Sequence, residues 1–368
     1  MYPLPEGMFA PRNQWYIAAR SSDVTRQPME RWILNEPVAF YRKIDGSAVA
    51  MQGRCPHRHF PLGKSTVVGD NIECGYHGMQ FRPDGVADSV PSQKAPPAAC
   101  NVKVYPLVEQ WKWLWIWPGD PALADPSMIP DHNELGLFSG KFDVCGDVRY
   151  IEAPARYMLI NDNLFDLSHL QVLHRSSIAG GDLTEAKEER ELDGNRLTSH
   201  RRFRDIAPPP FVGPLLGYHG RCDRDLKITF FFPGLHQFFD TYTKASSVEG
   251  AGEHLGAIMG FHCLTPATHN TCHYFAVLLR DFARNNDALG VQIQTGLAPT
   301  IQEDIFATGE IEKMLSRHDQ LPPEILLNAD TTCSIGRRMF VQAISKEQAL
   351  YGAQTIGKEQ KVGKEMVA

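Results

Sequence analysis

Two short segments, each with one cysteine and one histidine, constrain this chain more than any other feature. The first is Cys55-Pro56-His57, and the second, Cys74-Gly75-Tyr76-His77, begins after sixteen further residues. Two thiolates and two imidazoles can hold a tetrahedral zinc ion, or a [2Fe-2S] cluster with two cysteines on one iron and two histidines on the other. Either site requires the two segments to form neighbouring loops.

Glycine and proline in and around both segments favour the cluster over zinc. These residues are Gly53, Pro56, Pro61, Gly63, Gly75 and Gly78. A zinc site needs only its four ligands, whereas glycine lets the backbone approach a bulky group closely. The stretches CPHRHFPLGKS and CGYHGMQF resemble the Rieske iron-sulfur motif. The resemblance implies that Cys55, His57, Cys74 and His77 bind a [2Fe-2S] cluster, with zinc or four unrelated core residues as the alternatives.

Residues that the motif lacks narrow the class of Rieske protein. Rieske proteins of respiratory complexes carry one further cysteine in each loop, and the two form a disulfide; Phe60 and Tyr76 stand near those positions here. No apolar run is long enough to span a bilayer. The motif therefore resembles the soluble Rieske centres of oxygenases and Rieske ferredoxins. It departs from the common pattern at His59-Phe60, where a Gly-Ala pair is common, and at Met79, where tryptophan is common.

Length and net charge limit the classes of protein to which this chain can belong. A chain of 368 residues predicts two domains, because a lone Rieske ferredoxin would end after about the first hundred. The net charge of −6 gives no basic surface for nucleic acid or anionic lipid. The N-terminal stretch MYPLPEGMFAPRNQWY has no basic segment followed by an apolar one, so the cytoplasm is the predicted location. Six of the eight cysteines lie outside the motif and are expected to be buried thiols.

Composition along the chain predicts the domain boundaries. Residues 1–118 are predicted to form the all-β Rieske domain, because apolar or alternating runs such as EPVAFYR and WKWLWIW lie between turn-forming residues. Four tryptophans share one strand face in the latter run, which favours packing in a core or between domains. Prolines at 119–130 predict a linker. Residues 131–352 are expected to form the second domain, and the polar tail 353–368 is expected to fray.

The second domain is predicted to be α+β, with an antiparallel sheet that grips helices. Hairpin turns are indicated at 193–195 and 267–270, each between two strand-like runs. Helical patterns cover residues 157–172, 288–317 and 334–350. Strands in the middle with helices at both ends are typical of this fold class.

A second candidate metal site lies at the start of this domain. The stretch NDNLFDLSHLQVLHRS holds Asp166, His169 and His174 in close order. Two imidazoles and one distant carboxylate form the facial triad of mononuclear non-haem Fe(II), which leaves positions open for O₂. The spacing Asp-x-x-His-x-x-x-x-His resembles the catalytic signature of Rieske oxygenases. Residues five apart on a regular α-helix point about 140° apart, so the helix is expected to break or end between the two histidines.

The resemblance also implies the remaining members of this site. An acidic ligand is expected from a late helix, in a Glu-Asp pair whose second member binds iron, and Asp304 fits that position. Glu303, about 100° away on the same helix, is the alternative ligand, and a solvated surface carboxylate is the other alternative. Asp166 is then expected to bridge an iron-ligand histidine and a cluster histidine of a neighbouring subunit, which requires a homotrimer. Asn163 would support the site by hydrogen bonds, or would cap a helix.

Both motifs, in this order and at this separation, identify the chain as a member of the Rieske non-haem iron oxygenases. Within that family, NDNLFDLSHLQVLHRS and FHCLTPATHNTCHYF are most similar to the oxygenase components of vanillate and dicamba O-demethylases. The similarity implies that His262 lies in the substrate pocket. The phenylalanines at 230–232, 238 and 239 would line the same pocket, or would pack in the core.

The implied activity is NAD(P)H-dependent oxidation of a small aromatic substrate by O₂. Electrons would come from a separate flavin and iron-sulfur reductase, directly or through a ferredoxin. The expected reaction is O-demethylation of an aryl methyl ether with release of formaldehyde, and hydroxylation of a ring or aliphatic carbon, including dihydroxylation, is the alternative. An electron-transfer protein without an iron site is the alternative of another class, against which the presence of His169, His174 and Asp304 argues.

Overall fold

Short strands build the N-terminal part of the chain. The computed structural model describes residues 9–180, 182, 186–248, 250–317 and 323–365, with side chains up to residue 350. The strands are β1 (Tyr16–Arg20), β2 (Met29–Ile33), β3 (Glu36–Arg42), β4 (Ala48–Gln52), β5 (Thr66–Val68), β6 (Asn71–Glu73), β7 (Gln80–Phe81), β8 (Ala87–Ser89), β9 (Leu107–Gln110) and β10 (Trp113–Ile116).

These strands form three small antiparallel sheets. Their orders are β1-β10-β9, β2-β3-β4 and β5-β6-β7-β8. The segment with Cys55 and His57 follows β4, and the segment with Cys74 and His77 joins β6 to β7. The prediction of an all-β Rieske domain is therefore confirmed, and both candidate ligand segments are loops between strands.

The tryptophan-rich strand β10 packs against the second half of the chain. Trp113, Trp115 and Trp117 are buried and belong to one apolar cluster with Phe231 and Phe261. The rings of Trp113 and Phe261 are 5.7 Å apart and meet edge to face, a favourable arrangement for aromatic pairs. The stripe thus supplies packing between the two halves, as its period predicts.

A seven-stranded antiparallel sheet forms the centre of the second half. Its order is β11-β17-β16-β15-β14-β13-β12. The strands are β11 (Asp143–Ala153), β12 (Glu188–Asp193), β13 (Arg196–Ile206), β14 (Cys222–Phe231), β15 (Leu235–Lys244), β16 (His254–Thr268) and β17 (Thr271–Arg280). Asp193 pairs with Arg196 and Thr268 pairs with Thr271, so both predicted hairpins are present. Between the halves, residues 119–130 contain two short 3₁₀ turns, at Pro121–Leu123 and Pro126–Met128.

In the described part of the chain, two helices lie between strands of this sheet and three follow its last strand, in agreement with the predicted α+β class. They are α1 (Tyr157–Phe165), α2 (Val212–Leu216), α3 (Asp287–Gly296), α4 (Ala298–Leu315) and α5 (Thr331–Glu365). The tract predicted at 288–317 is two helices, because Pro299 lies in the first turn of α4 and has no amide hydrogen to continue α3. Helix α5 includes most of the predicted tail 353–368, whose side chains and last three residues lie outside the described part. Within that part, no helix is long and apolar enough to cross a bilayer.

Candidate iron centres and substrate cavity

The two cluster loops share one backbone hydrogen-bond pattern. In the first, the amide of Cys55 donates to the Phe60 carbonyl and the amide of His59 donates to the Cys55 carbonyl. In the second, the amide of Cys74 donates to the Met79 carbonyl and the amide of Gly78 donates to the Cys74 carbonyl, at the same spacings. Each pattern needs a left-handed residue, and His59 (φ 59°) and Gly78 (φ 69°) take these positions. His59 therefore adopts a conformation that glycine adopts more easily, which explains why glycine is common there.

The four predicted cluster ligands meet at the tips of these loops. The Cys55 and Cys74 side chains are buried, whereas His57 and His77 are exposed, and the two imidazole rings lie 4.6 Å apart. Burial raises the pKa of the Cys55 thiol to about 11. A thiolate at this site thus needs a metal beside it, so the donor set fits a [2Fe-2S] cluster with buried sulfur ligands and solvent-facing imidazoles.

Two glycines of the first cluster loop, Gly53 and Gly63, lie very close to neighbouring strands. A β-carbon at Gly53 would lie 2.8 Å from the backbone of Pro37, and one at Gly63 would lie 2.6 Å from Glu30. Both glycines therefore let the loop pack on β2 and β3. The ring centroids of Phe60 and Tyr76 lie 6.1 Å apart, so one aromatic pair connects the two loops. These residues stand near the positions of the two further cysteines in Rieske proteins of respiratory complexes.

The second candidate site begins where α1 ends. Asp166 has extended backbone angles (φ −95°, ψ 108°), and its carboxylate accepts hydrogen bonds from the amide and hydroxyl of Ser168, at 2.7 and 2.9 Å. A short 3₁₀ helix, Leu167–Gln171, then carries His169, and the chain turns again before His174. The predicted break between the two histidines is confirmed, and it brings their rings within 5.0 Å of each other.

Three predicted metal ligands converge at this break. Asp304 Oδ1, on α4, lies 2.9 Å from His174 Nε2 and 3.5 Å from His169 Nε2. One donor atom from each residue lies within 4.8 Å of the others. Each Nδ1 is already occupied by an acceptor: His169 donates to the Asp166 carbonyl at 2.5 Å, and His174 donates to Glu303 at 2.6 Å. Both Nε2 atoms consequently face Asp304, and with the hydrogens held on Nδ1 their lone pairs would be available to ligate Fe(II).

Burial and local charge shift the pKa values of the two histidines in opposite directions. Burial lowers the pKa of His169. Burial also acts on His174, but the carboxylates of Asp304 and Glu303 outweigh it and raise the pKa of that imidazole. Asn163 donates from Nδ2 to Asp304 Oδ1 at 3.2 Å, and its own Oδ1 is buried without a protein partner. The predicted supporting residue thus contacts the carboxylate of the site.

A cavity of ≈ 140 Å³ lies beside these side chains. Most of its wall is apolar, with side chains that include Leu164, Leu167, Leu170, Ile178, Val212, Leu226, Ile228, Phe238, Ile258, Leu278, Leu297 and Ile301. His262 lines the cavity as predicted; its ring stacks on Phe238, and its Nδ1 lies 2.5 Å from the Tyr274 hydroxyl. Of the phenylalanines proposed for the pocket, Phe238 lines it, whereas those at 230–232 and 239 pack in the apolar cores.

Four polar residues of the cavity wall were missed at the level of sequence: Thr300 on α4, and Arg224, His236 and Asp240 on the sheet. Arg224 donates from Nε and Nη2 to the two carboxylate oxygens of Asp240, at 2.9 and 2.8 Å. Burial, and then the neighbouring His262, hold the pKa of His236 well below its usual value. Burial lowers the pKa of His262 to about 4. The alternation of strands β14 and β15 carries the missing signal, because the three sheet residues share one face with Leu226, Ile228 and Phe238.

Comparisons with known proteins agree with both halves of the chain. Residues 14–106 match the Rieske [2Fe-2S] domain, and residues 153–346 match the vanillate O-demethylase oxygenase C-terminal domain. The toluene-4-sulfonate monooxygenase system iron-sulfur subunit of Comamonas testosteroni is 32% identical, over 91% of this chain and 97% of the relative. The vanillate O-demethylase oxygenase subunit of Pseudomonas sp. (strain HR199 / DSM 7063) is 27% identical, over 95% of this chain and 99% of the relative.

A solved structure has the same architecture. Dicamba monooxygenase bound to 3,6-dichlorosalicylic acid superposes with a TM-score of 0.84 and 28% sequence identity, covering 92% of this chain and 98% of that chain. With a Rieske domain, a His-His-Asp iron site and relatives matched over almost their full length, this chain belongs to the Rieske non-haem iron oxygenases, as the oxygenase component of a multicomponent monooxygenase system.

Proposed function

We propose that this oxygenase removes the methyl group of an aryl methyl ether and releases it as formaldehyde. The observation that carries the proposal is the apolar cavity directly beside His169, His174 and Asp304, in a chain similar over most of its length to O-demethylases for vanillate and dicamba. An apolar cavity with few polar groups suits a small aromatic ring.

We propose ligand roles for seven residues. Cys55, His57, Cys74 and His77 hold the [2Fe-2S] cluster, and His169, His174 and Asp304 hold the mononuclear iron. Asp304 is preferred to Glu303 because its Oδ1 faces both Nε2 atoms, whereas Glu303 binds the opposite nitrogen of His174. Glu303 then fixes the tautomer of a ligand histidine and increases its basicity.

Asp166 is proposed to carry electrons between subunits of a homotrimer. Its backbone carbonyl accepts a hydrogen bond from His169 Nδ1, while its half-exposed carboxylate accepts two hydrogen bonds from Ser168 at the surface. His77, on the exposed tip of the second cluster loop, is the type of group that such a carboxylate could bind on a neighbouring copy. A flavin and iron-sulfur reductase using NAD(P)H, acting directly or through a ferredoxin in the cytoplasm, is the proposed electron source.

The overall reaction consumes the ether, O₂, two electrons and two protons. When bound, the iron and the cluster supply O₂ activation and electron storage. One oxygen atom enters the methyl C–H bond and the other leaves as water; the resulting hemiacetal divides into a phenol and formaldehyde. The residues of the chain orient the ring, exclude water through the apolar wall, and hold the iron carboxylate by the Asn163 amide.

Hydroxylation without loss of carbon is the second candidate. It is favoured by the 32% identity to a toluene-4-sulfonate monooxygenase subunit, a value at least as high as those of the O-demethylases. The same iron site would then oxidise a carbon whose hydroxylated product is stable. The two reactions differ in whether formaldehyde forms.

The test is turnover of iron-loaded protein with a surrogate reductase, NADH and O₂, on matched aryl methyl ethers, methyl-substituted rings and unmethylated rings. Formaldehyde equal to the ether consumed is the expected result. A hydroxylated product without formaldehyde would replace O-demethylation by the second candidate, and the Asp304→Ala variant provides the background.

A further inference from the structure

Two hydroxyl groups connect the wall of the cavity with the surface of the protein. Thr300, in the first turn of α4, is 8% exposed and is the one hydroxyl side chain among the described residues that line the cavity. Its Oγ1 donates a hydrogen bond to Ser177 Oγ at 3.3 Å, and Ser177 Oγ donates to the His174 carbonyl, also at 3.3 Å. Ser177 is half-buried and follows the exposed Arg175 and Ser176. One end of the pair therefore lies in the cavity wall, and the other end is next to solvent.

The position of Thr300 on α4 places it on the side of the iron ligands. Thr300 and Asp304 are four residues apart, so their side chains lie on one face of the helix, about 6 Å apart along its axis. Thr308, one further turn along the same face, is also buried, but its hydroxyl donates to the Asp304 backbone carbonyl at 2.7 Å. It is not among the described residues that line the cavity. Of the two threonines, Thr300 is the one placed to exchange a hydrogen with a group in the cavity.

The reaction needs protons in a cavity whose wall is mostly apolar. Insertion of one oxygen atom of O₂ into a C–H bond consumes two electrons and two protons, and both protons leave in water. Reduction of O₂ to H₂O₂ without oxidation of a substrate consumes the same numbers of each. An apolar wall holds bulk water away from the reacting groups, so the protons need a polar route through it.

The hydrogen bonds of the proposed iron ligands do not provide this route. Glu303 accepts a hydrogen bond from His174 Nδ1. The Asp166 carbonyl accepts one from His169 Nδ1. A proton that entered through either imidazole would have to leave from Nε2, the nitrogen proposed to bind iron. Proton delivery through these rings would therefore release the metal.

The polar residues on the sheet do not provide it either. His236 is hydrogen-bonded to Asn161, and His262 to Tyr274. Both partners are buried, so within the described part of the chain these pairs end in the core and not at solvent. Arg224 cannot be deprotonated in a protein and therefore cannot relay a proton. The two hydroxyls remain as the connection between the cavity and solvent.

We infer that Ser177 and Thr300 form a relay that delivers protons from solvent to the cavity. A hydroxyl is both a donor and an acceptor, and its hydrogen can turn towards either neighbour. When Thr300 gives its hydrogen to a group in the cavity, it receives one from Ser177, which receives one from water. Each hydroxyl loses one proton and gains one, so neither becomes charged, and two passages supply the two protons of one turnover. The inference rests on the oxygenase activity and not on the choice between O-demethylation and hydroxylation.

The test is a single turnover, carried out in H₂O and in D₂O. Iron-loaded protein is reduced under nitrogen, freed of reductant and mixed with O₂ and 2-methoxyphenol, and the return of the oxidised cluster is followed by stopped flow. Protein without mononuclear iron gives the background. Thr300→Val keeps the shape of the side chain without its hydroxyl and is expected to lower the rate about tenfold or more. Its solvent isotope effect should exceed that of the wild type, because proton delivery becomes limiting, and Thr300→Ser should restore both values.

Two further variants separate the relay from packing. Thr308→Val makes the same substitution on the same helix face and is the matched control, with the wild-type rate and isotope effect expected. Ser177→Ala breaks the connection at its solvent end and should slow cluster oxidation as Thr300→Val does. The wild-type rate in either Thr300→Val or Ser177→Ala, at full iron loading, would overturn the inference. Because H₂O₂ formation needs the same protons, this result does not depend on which product forms.

A spectroscopic measurement locates the hydroxyl without turnover. Nitric oxide is added to the iron-loaded protein in D₂O, and the deuterium coupling to the EPR signal of its iron adduct is measured. Wild type, Thr308→Val and Ser177→Ala are expected to show the coupling, because all three keep the exchangeable hydrogen of Thr300, whereas Thr300→Val should lose most of it. Equal coupling in Thr300→Val and the wild type would contradict the placement of this hydroxyl and overturn the relay.

Discussion

The carboxylates at 303 and 304 contact opposite sides of one imidazole, and we propose a different function for each. Asp304 faces His174 Nε2 and Glu303 binds its Nδ1. We predict that Asp304→Ala loses mononuclear iron and turnover, whereas Glu303→Gln keeps both with an iron affinity about 10- to 100-fold lower. Iron analysis with the visible spectrum of the cluster as a folding control measures this, and loss of all iron in both variants would contradict the assignment.

Asp166 gives a second prediction for a single residue. Because its carboxylate is proposed to relay electrons while its backbone carbonyl orients His169, Asp166→Asn should keep iron and cluster but slow cluster oxidation by O₂ in the presence of substrate about 10- to 100-fold. Ser168→Ala removes the hydroxyl that donates to that carboxylate, while the amide of residue 168 remains as a donor, and is the matched control. Wild-type rates in Asp166→Asn, measured by stopped flow, would exclude the bridge.

At the residue scale, sequence reasoning is most specific where the candidate ligands come in a motif. The cluster loops and the two close histidines have spacings that few other sites share, and Asp304 follows from the family resemblance. His236 was missed because a single histidine in a strand has no such pattern. Its ring is held by a hydrogen bond to Asn161, 75 positions away, which the sequence does not show. Only tertiary structure shows which nitrogen of that ring remains without a partner.

At the scale of elements, helix α5 packs closely on the end of α1, next to the cavity wall. A β-carbon at Gly336 would lie 2.4 Å from the Phe165 ring, which packs on His236 at 4.9 Å. At Gly309 on α4, the nearest atom, in Pro154, would be 3.4 Å away.

These two glycines form a matched pair for a stability test. We predict that Gly336→Ala destabilises the protein by about 1–2 kcal/mol, because overpacking exceeds the gain in helix propensity. Gly309→Ala should be neutral or stabilising by up to about 1 kcal/mol. Urea midpoints at constant iron content measure both, and equal effects of the two substitutions would refute the account of the Phe165 contact.

The elements themselves were largely predictable from local chemistry. The two hairpins follow from their turn residues, and the break between His169 and His174 follows from the angular spacing that two iron ligands require. Helix α1 itself ends at Phe165 and not at residue 172, where the helical pattern was predicted to end. The division between α3 and α4 is marked by Pro299, whose position in a first turn was overlooked within a longer helical pattern. The register of the seven strands depends on contacts distant in sequence, which no local pattern specifies.

At the scale of the whole molecule, buried neutral histidines make the fold sensitive to acid. Burial lowers the pKa of His132, His262 and His273 to about 4, against an ordinary value near 6.5. Between these values the unfolded chain binds protons that the folded chain does not. The free energy of unfolding therefore falls as the pH drops from 6.5 towards 4, by up to about 1.4 kcal/mol per pH unit for each group.

His132 is the best group for testing this dependence. It is fully buried beside Trp113 and Trp115, and this burial is the main cause of its lowered pKa. We predict that His132→Phe loses less stability than the wild type between pH 7 and pH 5, with the urea midpoint as the readout. An unchanged pH dependence would show that this histidine does not contribute to acid sensitivity.

The central claim is that electrons stored in the Rieske cluster serve oxidation at the His169-His174-Asp304 site. A single turnover tests it most directly: iron-loaded protein is reduced under nitrogen, freed of reductant, and mixed with O₂ and 2-methoxyphenol without NADH or reductase. The account predicts that formaldehyde forms, in no more than stoichiometric amount to mononuclear iron, as the visible spectrum of the oxidised cluster returns. Complete cluster oxidation with no oxidised substrate, at full iron loading, would contradict it.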